Sequence, residues 1–254
     1  MITLNRYLLT LIPVTLVLLC LSVAVTGVLG LPANEIVAKP CPTPTIDGVI
    51  GSGEWVTASN VTFNQTTVYV MQNGLELYIA FNISDNTENS QDTCIIFFDV
   101  EHDRSSELQA DDLELMVSRD GNLTEFKTSW FGPPQNKYFW TATVVSGWTA
   151  EVNSSNNLWQ VEYNFTYSKI NVTAGSTKIL GVEFLSYDLA SLTSYMWPHT
   201  TDLLFNFKPN LWGNMTPNEF NWIPEFSNPW IQVIAFIATL PILFYVRAHK
   251  KIHK

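Results

Sequence analysis

An all-β sandwich held between two apolar end segments is the fold class the sequence predicts, and three observations predict it. From residue 32 to 216 apolar and polar residues alternate, Gly, Asn, Asp and Ser interrupt the alternation at short intervals, and no long stretch carries a helical period. About ten short strands at this spacing imply a sandwich.

Asn5 and Arg6 precede an uncharged stretch from Tyr7 to Leu31, rich in Leu and Val, so residues 1–31 read as a secretory signal peptide or an uncleaved anchor. The sandwich opens with "TIDGVIGSGEW", Thr45 to Trp55, in which Asp47 and Gly48 form a turn signal because Gly accepts a positive φ. In "NVTFN" Val61 and Phe63 oppose Asn60, Thr62 and Asn64. In "LELYIAFNIS" Leu77, Ile79, Phe81 and Ile83 share one face, with Glu76, Tyr78 and Asn82 on the other. "TCIIFFDV", Thr93 to Val100, is apolar on both faces, as a central strand covered on both sides would be. In "LWQVEYNFT" Trp159, Val161, Tyr163 and Phe165 oppose Gln160, Glu162 and Asn164. Further strands are expected at 67–72, 112–119, 123–127, 138–145 and 178–185.

Residues 217–229 then form a stalk stiffened by Pro217, Pro224 and Pro229, with Trp222, Phe226 and Trp230 suited to the headgroup level. Trp230 to Val246 carries no charge and is followed at once by the basic tail "RAHKKIHK" over 247–254. That pattern predicts a single transmembrane helix over 230–246, with a cytoplasmic tail and the sandwich outside the cell membrane.

Between the ends, 8 Lys and Arg face all 23 Asp and Glu, which excludes nucleic acid as a natural partner. Eight Asn-x-Ser/Thr sequons, at Asn60, Asn64, Asn82, Asn122, Asn153, Asn164, Asn171 and Asn214, suit a glycosylated surface protein. Four of them, Asn60, Asn64, Asn82 and Asn164, fall on faces the alternation marks as exposed. Cys41 and Cys94 are the only cysteines of this region, and an oxidising compartment permits a disulfide pinning the N-terminal arm to the central strand.

The order of these features resembles the DOMON-like superfamily and, within it, domains similar to family 9 carbohydrate-binding modules. "IDGVIGSGEW" is similar to the family's opening motif and "LELYIAFNISDN" to its strand ending in Asp. "IIFFDVEHD", "ADDLELMVSRDGN" and "LWQVEYNF" follow, and "YMWPHTTDLLFNFKPNLWGNM" resembles the closing Trp-Gly hairpin. The resemblance implies an immunoglobulin-like or DOMON-like antiparallel β-sandwich whose opening motif is structural, with Asp-Gly turning the chain in and Trp55 plugging one end of the core. It also implies calcium as a structural ion, as in some members of that family. Haem b, held in some relatives by a Met and a His or Lys, directs attention to Met71, Met116, Met196 and His199, although a lone strand Met is ordinarily core filler.

Acidic loops can supply calcium oxygens, and Asp99, Asp103, Asp111 and Asp112 are the candidate ligands; their spacing matches no EF-hand. No nucleophile or base motif stands out, so the chain is expected not to be an enzyme. Aromatic rings outside the regular alternation are the candidate ligand contacts: Trp130 and Phe131 before a Gly-Pro-Pro turn, Trp148, and Trp197 beside Pro198. Sugar-binding sites use such rings because the C–H face of a pyranose packs on an aromatic plane. Three classes follow: a membrane-anchored binding module for a glycan or other surface ligand, a haem-carrying electron-transfer domain, and a structural component beside neighbouring envelope proteins.

Overall fold

The computed structural model describes residues 34–217 apart from 156, 174, 175, 177 and 203. The chain divides into two compact units, Met1–Glu35 and Ile36–Lys254, and the second carries the fold. The alternating segments become two sheets. One runs in the order β1 (Glu35–Val37), β14 (Gly213–Thr216), β12 (Leu180–Asp188), β6 (Thr93–Asp99), β7 (Asp112–Ser118), β8 (Leu123–Phe131) and β9 (Lys137–Thr143), with β13 (Thr193–Trp197) also paired to β12. The other runs β10 (Trp148–Ser155), β11 (Leu158–Thr166), β5 (Glu76–Ser84), β4 (Thr66–Gln72) and β2 (Lys39–Pro40), with β3 (Ser59–Phe63) also on β4. The central pairings are antiparallel, whereas β2 joins β4 in parallel.

Between the sheets lies one core. Ile79 and Phe81 of β5 and Val161, Tyr163 and Phe165 of β11 meet Ile96 and Phe98 of β6, Leu115 of β7 and Phe184 of β12. Edge-to-face ring pairs cross the gap, Phe81 to Phe184 at 6.0 Å and Phe98 to Phe165 at 5.7 Å. At one end Arg119, just past β7, is buried with its Nη1 2.9 Å from Asp85 and 3.3 Å from Asp92. Its guanidinium lies 5.7 Å from the Trp159 ring.

Both sheets are also covered on their outer faces. On the six-stranded sheet, Trp55 and Ala58 pack on Met71, Tyr78 and Ala80. Trp55 Nε1 donates to Glu162 Oε1 at 2.7 Å, while the N–H groups of Asp47 and Gly48 donate to Oε2 at 3.0 and 2.9 Å. Gly48 has φ +81°, and a Cβ there would stand 2.6 Å from the Val152 carbonyl carbon. The opening motif is therefore structural, but Trp55 sits on the sheet's outer face and does not plug an end of the main core. Tyr78 and Glu162, expected on an exposed face, are buried for the same reason. Alternation tells which side of a strand a residue takes, not what later covers it. On the eight-stranded sheet, Phe97 of the doubly covered β6 packs with Leu108, Leu185 and Trp212.

The expected disulfide does not form. Cys94 lies in the core between the sheets, whereas Cys41 packs with the Trp55 cluster outside the six-stranded sheet, and both are free thiols. A layer of strands separates them. Asn64 is in the β3–β4 turn, with φ 49°, and not on a strand face. Among the described residues no helix is long and apolar enough to cross a membrane. The end segments at 1–31 and 230–246, the stalk beyond Pro217 and the basic tail lie outside the described residues.

Candidate functional site

Strands β8 and β9 form a hairpin at the edge of the eight-stranded sheet, with Trp130 opposite Tyr138 and Phe131 opposite Lys137. Because successive side chains alternate, its two surfaces differ. One carries Thr128, Trp130, Tyr138 and Trp140; the other carries Lys127, Phe131, Lys137 and Phe139. Trp130 is 55% exposed and stands at 62° to the Tyr138 ring with centroids 5.2 Å apart. Tyr138 and Trp140 continue inward to the buried Phe97 and Trp212, with Trp140 5.9 Å from Phe97 and donating its Nε1–H to the Asn206 carbonyl at 3.2 Å. The exposed ring is thus backed by a packed aromatic row that fixes its orientation.

Of the other rings expected to touch a ligand, Phe131 is 47% exposed, but Trp148 and Trp197 are not available. Trp148 begins β10, stacks on Tyr163 at 5.9 Å and donates its Nε1–H to Glu125 Oε2 at 2.9 Å. Trp197 stacks on Phe184 at 5.6 Å. Tyr138 and Trp140 were not singled out from the sequence. The signal was the near-symmetry of "SWFGPPQNKYFW" about its turn, which sets Trp130 against Tyr138 once a hairpin is assumed.

A second constellation lies on the outer face of the same sheet. One carboxylate oxygen from each of Asp99, Asp111 and Asp112 falls within 4.8 Å of the others. Asp99 accepts the N–H groups of Asp103 and Arg104, Asp111 that of Glu101 and Asp112 Oδ2 that of Gln109. Asp112 Oδ1, at a residue 2% exposed, has no partner among the described residues. Burial, then the neighbouring carboxylates, push the Asp112 carboxyl up to about 8 against the bond from Gln109, and burial raises Asp99 too. Gly181 permits the arrangement, since a Cβ there would stand 2.7 Å from the Asp99 Cβ. Asp103, also expected as a ligand, is not in the trio; its Oδ1 accepts the Ser105 N–H. Two more acids flank Phe97 across the strands, Glu114 and Glu183, both raised by burial, Glu114 to about 7.

The haem candidates are dispersed. Met71 is buried outside the six-stranded sheet, Met116 and Met196 lie across the eight-stranded sheet with Leu185 and Ile95 between them, and His199 is exposed. Of the sequon asparagines, Asn60, Asn64, Asn122, Asn153 and Asn171 are exposed, while Asn82, Asn164 and Asn214 are half-buried.

No protein-family model and no curated protein matches the chain. Its fold is shared with a family 9 carbohydrate-binding module from Caldicellulosiruptor kristjanssonii, solved in complex with cellotriose and with glucose. Both structures are 19% identical at TM-score 0.53, aligning 72% of this chain with 92% and 94% of theirs. At that identity the likeness shows the fold, and it bears on the carbohydrate-binding-module resemblance rather than on the DOMON one.

Proposed function

We propose that the chain is a membrane-anchored, glycosylated surface module whose sandwich binds carbohydrate, without catalysis, on the Trp130–Tyr138 surface of the β8–β9 hairpin. The observation that carries this reading is an exposed, rigidly backed Trp130 on a fold shared with modules solved in complex with cellotriose and glucose. Two rings at a steep angle offer a corner: a pyranose C–H face packs on the indole while the tyrosine hydroxyl supplies a polar contact. The sequons Asn60, Asn82 and Asn164 lie on the outer face of the six-stranded sheet, away from this surface, and Asn214 of β14 shares its face but stands four strands from β8.

Asp99, Asp111 and Asp112 would hold a hard cation such as calcium, which takes carboxylate oxygens and would satisfy the unpartnered Asp112 Oδ1. Its part would be to hold the loops after β6 and before β7. Isothermal titration of the full chain in nanodiscs with cello-oligosaccharide tests the binding reading. Trp130→Ala is expected to weaken binding by about 1–3 kcal/mol with little change in Tm, because its ring is exposed, and Tyr138→Ala to weaken it similarly while lowering Tm, because Tyr138 also packs against the buried Phe97 cluster. Unchanged affinity in both variants would remove the site.

A further inference from the structure

We infer that the opposite surface of the same hairpin, built from Phe131 and Phe139 between Lys127 and Lys137, docks on the lipid headgroup layer of the membrane that anchors the chain. The inference rests on the proposed span at 230–246 and concerns a surface the carbohydrate reading does not use.

Three observations carry it. Phe131 is 47% and Phe139 36% exposed, and their rings meet edge to face at 5.4 Å, so an apolar pair is offered to solvent on the side turned away from Trp130. Exposed apolar rings bracketed by lysines suit an interface whose depth is apolar and whose rim is anionic. In a domain rich in acid, residues 126–150 contain Lys127 and Lys137 and no Asp or Glu. Lys137 is 2.7 Å from the exposed Glu107 and Lys127 is 3.7 Å from the buried Glu125, so both lysines have acidic neighbours from adjoining segments, and each stays more than half exposed.

The third observation is position. Gly181 pairs with Asp99, Asp99 with Asp112, and the neighbouring Leu113 with Lys127, so Thr128 lies level with Gly181 across the sheet. Trp130, Phe131 and the hairpin turn project beyond that level, about 10 Å past it at Phe131. On the other flank Met215 pairs with Leu180, so β14 runs out past the same level, and Pro217 is fixed where its carbonyl accepts the Tyr167 hydroxyl at 3.0 Å. The chain therefore leaves for residues 218–229 at the end of the sheet from which the hairpin projects. Twelve residues reach at most about 40 Å, so this end of the sheet lies within that distance of a bilayer entered at Trp230 and the end bearing Arg119 lies a strand length farther from the chain's exit. The Arg119 clamp and the turn bearing Asn122 stand at the opposite end.

The full chain, reconstituted in phosphatidylcholine and phosphatidylglycerol vesicles containing headgroup-nitroxide lipid, tests the inference. A fluorescent probe is attached at Gln135→Cys on the hairpin tip or at Asn122→Cys at the far end, with labelled wild type as the background. Quenching is expected at Gln135 and not at Asn122, and Phe131→Ser with Phe139→Ser is expected to abolish it while the chain still floats with the vesicles. Floating chains whose Gln135 probe is quenched no more than the Asn122 probe, or is quenched equally in the double variant, would overturn the docking and leave the anchoring intact. A wild-type chain that does not float would overturn the anchoring and the docking with it. Absent quenching together with loss of sugar binding in the double variant would assign the phenylalanine surface to glycan instead.

Discussion

Glu183 on β12 is 1% exposed, and its Oε1 has no hydrogen-bond partner among the described residues. Burial holds its carboxyl well above the usual range, so the folded protein keeps a proton that the unfolded chain releases near pH 4.3, the ordinary Glu value of about 4.3. Stability from this group is complete below the unfolded value and falls as the pH rises toward the folded one. Glu183→Gln removes that slope. The variant is expected to melt with wild type at pH 4 and above it at pH 8, by scanning calorimetry; a variant less stable at pH 8 would contradict the assignment. Asp112 poses the converse case, because its neighbours are carboxylates that a cation would neutralise. Calcium at 100 times its Kd is expected to raise stability by about 2.7 kcal/mol, and Asp112→Asn to abolish the gain. An unchanged Tm on adding calcium would remove the ion from the description.

A buried polar clamp at the strand ends adds to the apolar core in joining the two sheets. Arg119, at the end of β7, reaches Asp85 after β5, Asp92 before β6, and Ser154 Oγ and the Ser155 carbonyl of β10. Removing one partner strands buried charge, so Arg119→Ala is expected to cost about 3–5 kcal/mol in urea denaturation. Combining it with Asp85→Asn and Asp92→Asn should recover part of that loss; additive losses would show that the charges do not act as a unit. The strands themselves were legible: alternation in "LELYIAFNIS" and "LWQVEYNFT" gave the inner faces of β5 and β11, and the all-apolar "TCIIFFDV" gave the doubly covered β6. Their covers were not. Nothing local to Tyr78 or Glu162 signals that Trp55 folds over them from more than twenty residues away, or that Cys41 and Cys94 end on different layers.

In the whole molecule, four sequons and the exposed hairpin rings fall on different sheets. The outer face of the six-stranded sheet carries sequons, including Asn60, Asn82, Asn153 and Asn164, and the edge hairpin of the other sheet carries exposed rings on both surfaces. The sequence indicated Trp130 and Phe131 as rings outside the alternation before a Gly-Pro-Pro turn; they instead continue it to the end of β8, on opposite surfaces, while Trp148 and Trp197, grouped with them, are buried by tertiary packing. Exposure is a property of the assembled sheets, so four similar-looking aromatic sites separate only in three dimensions. The carbohydrate-binding corner proposed for Trp130 and Tyr138 is tested most directly by recording the indole N–H resonances of the nine tryptophans in the full chain in nanodiscs while cellotriose is added. A saturable shift of the Trp130 resonance, with the buried Trp55, Trp148, Trp159 and Trp197 resonances unmoved, is the expected result. A Trp130 resonance unmoved at saturating cellotriose, or shifts confined to other tryptophans, would contradict it.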